Sequence, residues 1–182
     1  MKPTFSLVVL GSLLAVPLVH AGDPVKAKQL MTLMRADEVV ANAMKTGLRS
    51  KKAEIGLTDA QIACLNAVPH SEFSDVVTTA IADGLNDEEL AAALAFYRTP
   101  AGTDYVKSIV TLMQGGARPP PLSDADATSV RDFASSPTGD KLLKKALIPN
   151  SNVVADRMAE VSANAIEDCG KAPATPPPKK SP

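Results

Sequence analysis

The sequence predicts an all-α protein: a bundle of short helical hairpins with an internal repeat, one disulfide and a disordered proline-rich tail. Three observations carry that reading. No stretch alternates apolar and polar residues for long enough to make a half-buried strand. Apolar residues recur instead at helical spacing, between capping residues at one end and proline or glycine at the other. One hairpin pattern also occurs twice at a fixed offset.

The first residues read as an address. Met1 and Lys2 give a short positive start, Phe5 to Leu18 is apolar, and Val19-His20-Ala21 puts small residues at the −3 and −1 positions before Gly22. This is the layout of a cleaved secretory signal peptide over residues 1–21, with Gly22 as the mature N-terminus. The run is short for a membrane span, which is the alternative reading, and no cysteine follows it to carry a lipid. Later residues hold no uninterrupted apolar run of about 18, so a mature protein that does not span the membrane is expected.

Residues 22–170 are expected to form a single helical domain. Asp23-Pro24 supplies an N-cap followed by proline at the first helical position, where its missing N–H costs nothing. That helix carries Leu30, Met31, Leu33 and Met34, and Asp37 is placed to cap a second one with Val40, Met44 and Leu48. The basic cluster Arg49 to Lys52 suits the negative pole at that helix's end better than it suits an anion or membrane patch. Thr58 to Gln61 reads as a capping box for a helix with Ile62, Cys64, Leu65 and Val68, stopped by Pro69. Ser71 is expected to open the next helix, with Phe73, Val76, Val77 and Ile81, which Gly84 closes.

The repeat covers residues 85–113 and 122–147. Leu85 and Leu122, Phe96 and Phe133, Pro100 and Pro137, and Gly102 and Gly139 are each 37 positions apart. Each unit opens on a cap (Asn86 or Ser123), runs a helix with a phenylalanine near its end, and breaks. It restarts with Thr99-Pro100 or Ser136-Pro137 as cap and first helical residue. The glycine two positions on removes a side chain where two backbones must approach. In the first unit Leu90, Ala93, Leu94 and Tyr97 form a stripe beside Phe96. The aligned Ala127, Val130, Arg131 and Ala134 form a thinner one, so the second unit is expected at the periphery.

A last helix from about Asn150 carries Val154, Met158, Val161, Ala165 and Cys169 on one face. An exported chain meets an oxidising compartment, and its two cysteines most simply pair as Cys64–Cys169. By loop entropy such a bridge is worth roughly 4–5 kcal/mol. Residues 171–182 hold five prolines and no large apolar side chain, so they should stay a disordered, extended tail.

The segment Ala95-Phe96-Tyr97-Arg98-Thr99-Pro100-Ala101-Gly102, preceded by the helix from Asn86, resembles the signature of a bacterial family of exported proteins. That family is catalogued as a domain of unknown function, number two thousand and fifty-nine. The resemblance runs over about residues 25–115 and includes the Leu/Met-rich early helix, Leu30 to Met44. It implies a helical, periplasmic protein and implies no catalytic residues.

Composition narrows the function further. With 19 Lys+Arg against 20 Asp+Glu the chain lacks the basic excess of a nucleic-acid binder. Loss of the leader leaves His70 as the one histidine, too few ligands for a histidine-based metal site, and no cofactor motif is present. Asp87, Glu88, Glu89, Asp124 and Asp126 could pair as acid and base. They occupy first helical turns, however, where negative charge complements the dipole. Thr99, Ser135 and Ser136 lie at helix starts and ends, without a nucleophile-elbow motif, and His70 sits at a corner between helices.

No enzyme is therefore expected. The reading is a non-catalytic helical interaction module for another exported or envelope protein: an adaptor, a chaperone-like factor or an inhibitor of immunity type, periplasmic or secreted. The alternative is a periplasmic carrier of an apolar ligand, against which the alanines at Ala91 to Ala93 and Ala95 favour close helix contact over a cavity. A hydrolase is the third reading.

Overall fold

Residues 21–144 and 152–171 are described by a computed structural model. The expected leader up to residue 20, residues 145–147 of the second repeat and the tail beyond Lys171 lie outside the described residues. Within them every regular element is helical, in the order α1 (Pro24–Met34), α2 (Ala36–Ser50), α3 (Asp59–Ala67), a 3-10 turn (His70–Phe73), α4 (Ser74–Gly84), α5 (Asp87–Tyr97), α6 (Pro100–Met113), α7 (Asp124–Ser135), α8 (Pro137–Gly139), a π-helical turn (Asp140–Lys144) that continues α8, and α9 (Asn152–Lys171). No helix among the described residues is long and apolar enough to cross a membrane.

Most starts follow from their caps. The Asp23 carboxylate accepts from Val25 N at 2.8 Å ahead of Pro24. Thr58 with Gln61, and Asn86 with Glu89, form reciprocal capping boxes. Two expected caps are corrected. Asp37 does not cap α2; Arg35, in the left-handed region at φ 49°, makes the corner from α1, and Asp37 lies buried in the first turn. Ser71 does not open a helix either, because His70–Phe73 is a 3-10 turn and α4 begins at Ser74. Both reassignments have one cause. Ser74 Oγ and His70 Nδ1 each contact Asp37 Oδ2, at 3.1 and 2.8 Å, so the carboxylate ties two elements together instead of closing one helix end.

The main core is built by α1, α2, α4, α5 and α6, with Leu30, Phe73, Leu90, Ala93 and Tyr97 buried at its centre. A fully buried side chain of the size of Leu30 or Phe73 is worth roughly 1.5–3 kcal/mol. A second cluster joins Leu57 and Leu65 to Ala165 and Cys169. There the expected disulfide is present: Cys64 and Cys169 are bonded across 105 residues with a Cα–Cα distance of 5.6 Å, fastening α9 to α3. Farther along α9, Met158 and Val161 pack on Val76 and Ala80 of α4.

The two repeat corners match atom for atom. Thr99 Oγ1 donates to Phe96 O at 2.7 Å and accepts from Gly102 N at 3.1 Å. Ser136 Oγ donates to Phe133 O at 2.7 Å and accepts from Gly139 N at 3.0 Å. A Cβ on Gly102 would overlap Phe96 O and lie 2.7 Å from Tyr97 Cα; one on Gly139 would overlap Phe133 O and lie 2.9 Å from Ala134 Cα. Backbone meets backbone at both places, so neither overlap can be relieved by a rotamer change.

The second unit is peripheral, with no fully buried residue on α7. Its attachment is aromatic, since the Phe133 ring stacks on Phe96 at 4.0 Å between centroids and meets Tyr97 edge-on at 5.6 Å. An ion pair from Lys141 to Glu89 at 2.6 Å adds a polar tie.

Alanine at two glycines should separate packing from helix propensity. Gly102→Ala should lower stability by about 1–3 kcal/mol through overpacking. Gly47→Ala should raise it by about 0.5–1 kcal/mol, because a Cβ there on α2 meets nothing within 4 Å. Urea denaturation of the two variants gives both values, and equal effects would refute the close approach at the corner.

Candidate functional site

The carboxylates and hydroxyls that sequence offered as chemistry are dispersed, and several of them are committed to local structure. Asp87 Oδ1 accepts from Asp23 N at 3.0 Å, and this bond, aided by Lys26, holds its carboxyl below the usual range. Glu89 serves the Asn86 cap and pairs with Lys141; despite some desolvation these partners keep its carboxyl below the usual range. Asp126 N is capped by Ser123 Oγ at 3.1 Å. Glu88 and Asp124 sit exposed in the first turns of α5 and α7, and Ser135 is exposed at the end of α7. Thr99 and Ser136 are the corner caps.

The basic cluster is also used within the fold. Arg49 Nη2 donates to Asn66 Oδ1 at 3.1 Å and Lys52 pairs with Asp59. Arg98 reaches Gln29 Oε1 at 3.2 Å. Lys45 Nζ donates to Asn66 O and Val68 O, at 3.0 and 2.7 Å, satisfying carbonyls at the end of α3.

The grouping that sequence reasoning missed is Asp37, His70 and Ser74. They border a polar cleft with Thr32, Arg35 and Glu38, where the α1–α2 corner faces the 3-10 turn. Its order is unlike a nucleophilic relay. Ser74 and His70 both bond to Asp37, whereas a relay places the imidazole between the hydroxyl and the carboxylate. Partners 33 and 37 positions away leave no local pattern by which this cluster could have been read.

A different opening has the features of a binding site. An apolar cavity of about 220 Å³, open to solvent, lies between the α1–α2 corner and the first repeat. Met34, Ala36, Val39 and Val40 form one wall, Val77 and Ile81 of α4 with Tyr97 of α5 another, and Tyr105, Val106 and Ile109 of α6 a third. Leu142 and Leu143 of the π-helical turn complete it. The alanines expected to favour close helix contact do not bear on this opening: Ala91, Ala92 and Ala95 face solvent, and Ala93 alone of these is buried.

Residues 71–117 match the family model DUF2059, described as an uncharacterized protein conserved in bacteria. The corner Phe96 to Gly102 falls in the DUF2059 segment. So do six residues of the cavity wall, Val77, Ile81, Tyr97, Tyr105, Val106 and Ile109. The early helix Leu30 to Met44 and the second corner lie outside the matched span, which is narrower than the resemblance over 25–115. No curated protein and no solved structure matches the chain.

Two tyrosines give the DUF2059 segment its polar atoms at the cavity. Tyr105 is half-buried, and burial raises its phenol above the ordinary range. Tyr97 is raised further, by burial and by the neighbouring Tyr105, so both hydroxyls stay protonated at neutral pH. Tyr97 Oη is buried with no hydrogen-bond partner among the described residues.

A buried hydroxyl without a partner costs stability that its removal should return. Tyr97→Phe should therefore leave the melting temperature unchanged or raise it. A loss above about 1 kcal/mol would show that the hydroxyl is bonded in solution.

Proposed function

We propose that the protein is an exported, non-catalytic helical module that binds another exported or envelope protein through this cavity. The observation that carries the reading is the cavity's size together with its surroundings. At about 220 Å³ it falls below the roughly 300–1,000 Å³ usual for small-molecule sites, and suits one or two apolar anchor side chains of a partner. Its wall also runs out onto the surface. Tyr105 and Ile109 of α6 are followed at helical spacing by Leu112 and Met113, which are 53% and 37% exposed. An apolar stripe leading into an anchor pocket is how a groove receives an amphipathic segment.

Export is supported by the leader-like start and by a disulfide, which persists in oxidising compartments. A non-catalytic role is supported by the commitment of Asp87, Glu89, Thr99 and Ser136 to caps and ties. Adaptor, chaperone-like and inhibitor roles all fit such a module.

One observation favours the second reading, carriage of a small apolar ligand. Tyr97, whose hydroxyl has no partner among the described residues, lines the cavity with Tyr105 among apolar side chains, and a ligand with one hydrogen-bonding atom would satisfy it.

A photoreactive residue placed at Ile109, compared with one at Ile55 outside the cavity, should decide. Crosslinks to an exported protein from position 109 and not from 55, abolished by Leu143→Asp, are the expected result. Stabilisation by envelope lipid with no protein crosslink would establish carriage instead, and neither effect would sink both readings.

A further inference from the structure

The first residue expected after leader removal makes tertiary contacts, with no spacer between it and the folded domain. Gly22 N donates to Ala82 O at 2.7 Å. Ala82 lies in the last turn of α4, at the helix's negative pole. The space beside Gly22 Cα is full: a Cβ there would overlap Leu85 O and lie 2.5 Å from Leu90 Cδ1. The next residue is held as well, with Asp23 N donating to Asp87 Oδ1 at 3.0 Å and Lys26 Nζ reaching the same oxygen at 3.4 Å. Three successive elements, α4, α5 and the loop between them, thus converge on one backbone position at the start of α1.

We propose that this convergence is a seat for the mature α-amino group, so that leader removal completes the fold. The inference rests on the export reading and its boundary. An endopeptidase adds water across the Ala21–Gly22 bond; the carboxylate leaves with Ala21, and the freed Gly22 amine takes up a proton. In the uncut chain that nitrogen offers Ala82 O a single N–H. As an ammonium it offers three and brings a positive charge to the negative end of α4.

Two consequences follow from the same contacts. The position admits only glycine, since Leu85 O is backbone and cannot swing away. A peptidase must also draw the residues on both sides of the bond into its cleft, which a docked Gly22 does not permit. Cleavage therefore precedes docking of α1, and an uncut chain in which Gly22 has docked is shielded from it.

The test uses the mature chain beginning at Gly22, the same chain acetylated on that nitrogen, and a Gly22→Ala form. Acetylation keeps an N–H but removes the charge, and should lower the melting temperature by about 2–4 °C. Gly22→Ala should lower it by roughly 3–10 °C. If that variant does not fold, labelling of the α-amine on the unsubstituted chain still decides: it should be several-fold slower in native protein than in urea. An amine labelled equally fast in both states, with no thermal effect of acetylation, would overturn the seat alone. An exported protein whose mass places its start elsewhere than Gly22 would overturn the boundary and the seat together.

Discussion

The carbonyl of Phe96 is the point on which the arrangement of the first repeat turns. It accepts from both Thr99 N and Thr99 Oγ1, at 2.9 and 2.7 Å, and Gly102 Cα packs directly against it. A helix that ends on its own capped carbonyl and restarts after two residues must reverse sharply, and only a missing side chain lets the new helix lie that close. The close turn sets which faces α5 and α6 present. Leu90, Ala93 and Leu94 go to the core with Tyr97 and Val106, and the last two also meet Tyr105 and Ile109 at the cavity. The second corner repeats the device at Phe133, and the two phenylalanine rings stack, so the peripheral unit is anchored at the residue that organises its own turn. Leu142 and Leu143 reach the cavity from that unit, which makes the site a joint product of both repeats.

Much of this was legible in the sequence because it is local chemistry. Capping boxes at Thr58 and Asn86, proline at first helical positions and the paired glycines all act within a few residues, so spacing alone reveals them. The Cys64–Cys169 bridge was legible for another reason, since the sequence holds two cysteines in all and each has no other partner to choose. What escaped is non-local. Asp37 carries a helix-start signal, yet its carboxylate is taken by His70 and Ser74, and no periodicity encodes that choice. Phe96 and Phe133 align in the repeat, but alignment does not say that aligned residues touch. The alanine count was a poor guide to the cavity because it ignores which of them face outward. The cavity wall also includes a π-helical turn, a departure from the regular period that residue spacing does not show.

The same division explains why sequence gave the architecture more firmly than the chemistry. Asp87, Glu89, Thr99 and Ser136 are engaged at helix ends and interelement ties, and the apolar opening with its exposed margin at Leu112 and Met113 is the distinctive surface. The DUF2059 segment supplies half of that opening, including the corner that shapes it.

The most direct test of this architecture is a double-mutant cycle on Phe96→Leu and Phe133→Leu, read by urea denaturation of the oxidised protein. Stacked rings joining the two corners predict a coupling of about 0.5–1.5 kcal/mol. Effects that simply add would mean that the repeats fold side by side without the contact that makes them one unit.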